Sequence, residues 1–214
     1  GQYTFDGVLT KYQAGKFSEI ATDSAGYIFF FGDNWSPSSI MWRKTNQPGL
    51  TGPGSPGQVG PTLMLATDGF VSHSRSWARQ DQGIALIFTT TSGEVRLAET
   101  TDAPTNETWD TDEVVFDGSG YSNVTDPALC ADSTERLFAI WTGRDDQSGK
   151  YQILASMRET VDGPWTDPVI VTSSTSAFDD IHISSQEVNL PTGTTEDVAV
   201  VGWSNQDEVG SALS

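Results

Sequence analysis

Four apolar runs, each closing on an aromatic residue, recur along the chain: Gly26-Tyr27-Ile28-Phe29-Phe30-Phe31, Gly83-Ile84-Ala85-Leu86-Ile87-Phe88, Arg136-Leu137-Phe138-Ala139-Ile140-Trp141 and Val198-Ala199-Val200-Val201-Gly202-Trp203. The closing aromatics stand at positions 31, 88, 141 and 203, a spacing of 53 to 62 residues. Such runs are too short for the helices of a bundle. They are also too continuously apolar for strands with one wet face, so they predict central strands covered on both sides. We label them B. A polar loop and a C strand follow each of the first three: residues 40–45, 95–100 and 153–160. A D strand comes next, at 61–65, 113–116 and 168–171, and a short A strand precedes each run, at 17–22, 74–79, 127–131 and 181–188.

Four strands in meander order make one blade of a β-propeller. The reading is therefore all-β: a propeller of four-stranded antiparallel blades, with residues 1–214 as a single domain and blade units near 17–67, 72–118, 124–174 and 179–214 plus 1–11. The segment Thr4-Phe5-Asp6-Gly7 resembles the D strand Val115-Phe116-Asp117-Gly118, whereas the last run is followed only by a C strand, Val209 to Leu213. Four blades closed by the N-terminal strand on the last blade are expected. The same pattern fits part of a larger propeller. With 21 Gly and 10 Pro, and no sustained 3.6-residue apolar period, turns are frequent and long helices are not expected.

The C-to-D connection Ala155-Ser156-Met157-Arg158-Glu159-Thr160-Val161-Asp162-Gly163-Pro164-Trp165-Thr166-Asp167-Pro168 resembles the turn of sialidase-like, BNR-type propellers, in which an Asp-Gly turn leads to a Trp before the next strand. Glu99 to Trp109 is a looser copy, and the strict S-x-D-x-G-x-T-W Asp-box is matched nowhere. The resemblance is one of blade pattern. It implies packing roles for Trp109 and Trp165.

Charge narrows the partners. Against 29 acidic residues stand 11 basic ones, a formal net charge of −18, so nucleic acid is not expected to bind. The acidity also fits a halophilic protein, in which salt screens self-repulsion. No apolar run is long enough for membrane insertion by a helix. Cys130 is the single cysteine, read as a small buried hydrophobe.

In a propeller the D-to-A and B-to-C loops emerge on one face, around the axis. On that rim fall Trp35, Trp77, Tyr121, Arg144, Asp145 and Asn205 as ligand-binding candidates, a mixture of aromatics, amides and charges suited to a sugar. The catalytic candidates, if the protein is an enzyme, are Asp126, Asp180, His73, His182 and Arg75. The two histidines lie two blades apart and would face each other across a four-bladed ring, fit for a metal with Asp126 or Asp180 or for base catalysis, beside their plainer reading as strand-start residues. Asp145 and Asp146 are the metal candidates: no cofactor is required, and Ca²⁺ is the ion their oxygens would suit, although a solvated charge run is the simpler reading.

Together these features point to a secreted or surface-exposed, non-catalytic propeller on a cell or virion surface, extracellular in either case. It would bind carbohydrate or a cell-surface glycan, or a protein partner, with self-association or assembly as further options. The alternative is a glycoside hydrolase or polysaccharide lyase with its active site on the same rim. The charge reading has a direct consequence. Raising ionic strength from about 0.1 M to about 1 M shortens the Debye length from about 10 to about 3 Å, and the thermal midpoint should rise with it. A midpoint that stays level or falls would show that self-repulsion is not a significant cost to this fold.

Overall fold

The structure, a computed structural model, describes residues 15–22, 26–35, 38–44, 63–66, 75–78, 83–100, 108–160, 162–189, 194–205 and 209–213. Among them lie four antiparallel sheets, each a simple meander. The first holds β1 (Gly15–Thr22), β2 (Ile28–Trp35), β3 (Ser38–Lys44) and β4 (Leu63–Ala66). The second holds β5 (Arg75–Ala78), β6 (Ile84–Thr89), β7 (Val95–Thr100) and β8 (Trp109–Phe116). The third holds β9 (Tyr121–Ala131), β10 (Leu137–Asp145), β11 (Tyr151–Arg158) and β12 (Val169–Ser174), and the last β13 (Phe178–Asn189), β14 (Thr195–Asn205) and β15 (Val209–Leu213). No helix among the described residues is long and apolar enough to cross a membrane.

Consecutive sheets pack face to face, and the packing includes β1 on β5, β5 on β9 and β9 on β13. The first strands thus converge, the arrangement of propeller blades around an axis. Alternation along the second strands explains the stacking. Ile84, Leu86 and Phe88 of β6 point into a core shared with Phe29, Phe31 and Ile40 of the first sheet. The intervening Ala85 and Ile87 point the other way, into a core with Leu129, Leu137, Ala139 and Trp141 of the third. Ile140, between Ala139 and Trp141, faces Phe178, Ile181 and Val201 of the fourth. Period-two side-chain direction turns one continuous apolar run into the lining of two interfaces. Cys130 is fully buried, and burial followed by the nearby Asp132 charge pushes its thiol up to about 12.

The C-to-D tryptophans are packing residues, each in the core shared with the preceding blade. Trp109 meets Phe31 edge-on at 5.7 Å. Trp165 packs into the core between the second and third sheets. Beside it lies a buried arginine, Arg158, 2% exposed. Its guanidinium grips Glu99 of β7 through two contacts, Nη1 to Oε2 at 2.8 Å and Nη2 to Oε1 at 2.9 Å. Nη1 also donates to Glu113 Oε2 of β8 at 2.6 Å, and Trp165 Nε1 donates to Glu113 Oε1 at 2.8 Å. The same guanidinium lies 5.6 Å from the Trp165 ring. A charged clamp therefore joins β7 and β8 of the second blade to β11 of the third, and only Arg158 Nε within it lacks a partner. Burial pushes the Glu113 carboxyl above its usual range despite the opposing pull of Arg158.

At the foot of the third blade the β9–β10 hairpin is held by Asp132, whose carboxylate accepts from Thr134 N and Arg136 N at 2.9 Å, from Thr134 Oγ1 at 2.8 Å and from Arg136 Nε. Burial works against ionisation there, but these donors outweigh it and hold the carboxyl below its usual range.

Two sequence expectations change. The runs ending at Phe31, Trp141 and Trp203 continue as strand for two to four residues, to Trp35, Asp145 and Asn205. The A strand of the third blade begins at Tyr121 rather than Pro127, because a bulge accommodates a proline that cannot donate to the ladder. The expected closing strand, residues 2–10, lies outside the described residues.

The clamp predicts unequal costs for its members. Arg158→Met leaves two carboxylates facing each other without their cation and should destabilise the fold by about 3–5 kcal/mol in chemical unfolding. Glu113→Gln should cost far less. Because the folded-state pKa of Glu113 is raised, its contribution is fully present below the unfolded value of 4.5 and is lost as pH rises through the folded value. Glu113→Gln should remove that part of the pH dependence, and a cost equal to that of Arg158→Met would refute the assignment.

Candidate functional site

The rim is built from three connections knitted by backbone contacts. In the β6–β7 turn, Thr90 Oγ1 accepts from Glu94 N at 3.1 Å, and Gly93 takes φ +86°. The β8–β9 connection passes directly over it. Gly118 has φ +82°, and a Cβ there would stand 2.8 Å from Gly93 O, so only glycine fits. Asp117 Oδ1 accepts from Ser119 N at 2.9 Å, an Asx turn that holds its carboxyl below the usual range. One residue beyond Ser119, Gly120 O accepts from Asp146 N of the β10–β11 turn at 3.0 Å.

That turn and the end of β10 leading into it hold three of the candidates, Arg144, Asp145 and Asp146. Asp145 Oδ1 accepts from Gln147 N and Oδ2 from Ser148 N, both at 3.1 Å, and Ser148 Oγ donates to Oδ2 as well. The Ser148 hydroxyl and these amides hold Asp145 below the usual carboxylate range. Arg144 Nε donates to Gly149 O at 3.1 Å, and Asp146 is exposed. Tyr121 Oη donates to Gln152 Oε1 at 2.7 Å while its ring meets Phe116 edge-on at 5.7 Å. One blade on, Asn205 Nδ2 donates to Ser174 Oγ at 3.3 Å. Among the described residues no three His, Cys, Asp or Glu side chains gather as a metal site would require. Arg144 and Asp145 thus have turn-building bonds, while Tyr121 bonds across to β11 and Asn205 to the end of β12, and the sequence revealed neither role.

The remaining ligand-binding candidates, Trp35 and Trp77, and the catalytic candidates divide differently. His73 lies outside the described residues. Arg75 and Trp77 belong to β5 and Trp35 closes β2, so all three are strand residues rather than loop residues. Asp126, Asp180 and His182 likewise lie inside strands, not in the D-to-A loops where the sequence reading put them. The physical reason is a bulge. On the inner strand β9 the register passes from Thr125↔Thr142 to Ala128↔Ile140, so Asp126 and Pro127 oppose the single residue Trp141. On β13 it passes from Asp179↔Ser204 to His182↔Gly202, so Asp180 and Ile181 oppose the single residue Trp203. Both bulges open with an aspartate at positive φ, +51° for Asp126 and +49° for Asp180.

Two neighbouring blades therefore present the same device: an innermost strand bent by one extra residue, an aspartate in the left-handed region, and a tryptophan across the ladder. Bulges re-aim side chains, and non-glycine residues at positive φ cost of order 1–3 kcal/mol and cluster at functional sites. The residue after each aspartate, Pro127 or Ile181, is buried, which anchors the bulge from below. Asp180 is exposed and Asp126 half-buried. No periodicity in the sequence distinguishes these two from the other carboxylates.

No protein-family model matches the chain, and no curated protein matches it. Solved structures do. An endo-arabinase from Bacteroides thetaiotaomicron superposes with a TM-score of 0.50 at 14% identity, covering 91% of this chain and 72% of that one. An α-L-arabinanase from Penicillium chrysogenum, solved with arabinobiose, gives 0.55 at 12% identity over 95% of this chain and 63% of that one. An α-L-arabinofuranosidase from Fusarium graminearum, solved with an iminosugar inhibitor, gives 0.52 at 10% identity over 94% and 67%. The chain spans between 63 and 72% of the length of these neighbours. They are propellers, which bears out the fold; the likeness is to a related propeller fold and not to sialidases specifically.

The rim geometry depends on Gly118. Gly118→Ala should lower stability by about 2 kcal/mol or more, combining a left-handed backbone penalty with a clash against Gly93 O, and should loosen the β6–β7 turn in amide exchange. A neutral substitution would mean that the two connections do not meet.

Proposed function

We propose that the protein acts on carbohydrate as a glycoside hydrolase, with Asp126 and Asp180 as its working carboxylates. The observation that carries this reading is their equivalence: the inner strands β9 and β13 of adjacent blades each bulge at an aspartate at positive φ that stands across the ladder from a tryptophan. Glycosidic bonds are cleaved by a carboxyl pair, one giving a proton to the leaving oxygen and the other activating water or attacking the sugar. Repetition of one device on two blades supplies such a pair. Of the rim candidates, Tyr121 opens β9, while Arg144 and Asn205 stand at the ends of the paired strands β10 and β14, suited to orienting sugar hydroxyls. His182 pairs with Gly202 immediately after the second bulge and is exposed, in reach of the same face.

The fold neighbours support this reading over a non-catalytic module, since their names are those of arabinan-degrading enzymes and arabinofuranosidases. Arabinans and arabino-oligosaccharides are therefore the first substrates to assay. An extracellular or surface location agrees with polymeric substrates of this kind, and Ca²⁺ should be included in the assay because the rim offers carboxylate oxygen.

Asp126→Asn and Asp180→Asn should each lower kcat by about 10²–10⁴-fold, with the thermal midpoint close to that of the unaltered protein. Saturable glycan binding without turnover would restore the binding-module reading. Turnover undiminished in both variants would remove Asp126 and Asp180 from the chemistry.

A further inference from the structure

The aromatic that closes the apolar run of each second strand is phenylalanine in the first two sheets, Phe31 and Phe88, and tryptophan in the last two, Trp141 and Trp203. All four fill the cores between blades. Phe31 and Phe88 are almost fully buried, so a phenyl ring satisfies the packing at this position. What the indole adds is an N–H. At both Trp141 and Trp203 that N–H is buried and has no hydrogen-bond partner. A buried donor left unpaired is a disadvantage, and such a group in a native structure calls for an explanation.

The two tryptophans are also the two residues that oppose the aspartate-bearing bulges. Trp141 faces Asp126 and Pro127, and Trp203 faces Asp180 and Ile181. The first blade bulges at the same place, with Ser18 the extra residue between Phe17↔Gly32 and Glu19↔Phe31, but it sets no aspartate across from Phe31. Cross-strand neighbours share a face of the sheet, so each unpaired indole donor lies on the face shared with its own bulge.

We infer that Trp141 and Trp203 are positioning residues for Asp126 and Asp180, each indole N–H donating to the carboxylate across the ladder when sugar occupies the rim. This rests on the proposed hydrolase reading and deepens it. A donor to the ionised carboxylate favours that form and lowers its pKa. The tryptophans therefore set the acidic limb of the pH profile without touching the substrate, and the phenylalanine blades lack this adjustment.

The experiment uses the full chain with Trp141→Phe and Trp203→Phe, which keep the ring that Phe31 and Phe88 use at the same position. The pH dependence of kcat/KM is measured on an arabino-oligosaccharide, with thermal midpoints as the control. The expected result is an acidic limb moved upward by about one pH unit in at least one variant, with the midpoint level or raised. A limb that superimposes on that of the unaltered protein overturns the inference while leaving the proposed function standing. An unaltered protein that turns over no glycan overturns both. Should either variant fail to fold, the indole N–H signals of the unaltered protein and of Asp126→Asn and Asp180→Asn are followed by NMR during oligosaccharide titration. Downfield movement that the Asn variants abolish supports the inference, and signals that stay fixed in the unaltered protein refute it.

Discussion

A middle strand that is apolar on both faces cannot be satisfied within its own sheet, and everything else in this structure follows from that. β6 buries Ile84, Leu86 and Phe88 on one side and Ala85 and Ile87 on the other, so its sheet must be sandwiched. β10 does the same with Leu137, Ala139 and Trp141 against Ile140. Sheets stacked face to face in this way bring their first strands together, and the stacking creates the axis on which a site can form. Arg158 and Trp165 add a directional element to the otherwise non-directional burial. Their contacts to Glu99 and Glu113 reach from one blade to the next.

That architecture also explains where irregularity is tolerated. Rigid, two-sided packing of the second strands lets the first strands bend, since a bulge on β9 or β13 is opposed by a tryptophan embedded in the interblade core. The bulged aspartates stand across from tryptophans packed in or against the interblade cores, where a catalytic geometry gains from being fixed in advance.

Much of the fold was legible in the sequence because period-two alternation and the recurring closing aromatic are direct traces of double-sided burial. The strands around residues 84–89, 95–100 and 209–213 stand where the pattern put them. The packing roles of Trp109 and Trp165 were legible too, although not that each reaches the preceding blade. What escaped was local. Pro127 looked like a strand start because a proline is foreign to a regular ladder, and nothing in a linear reading announces a bulge. Asp145 looked like a ligand because its role in holding the Gln147 and Ser148 amides depends on the turn geometry. Asp126 and Asp180 were named among many carboxylates, but their equivalence became visible only once the register of both inner strands was known.

The central claim is that sugar is held over the paired bulges of the inner strands. A crystal structure of the protein soaked with an arabino-oligosaccharide tests it most directly. The account predicts density for a sugar within hydrogen-bonding reach of the Asp126 and Asp180 carboxylates, with Tyr121, Arg144 or Asn205 at its flank. Sugar bound instead along the outer strands β8 or β12, away from both aspartates, would contradict it.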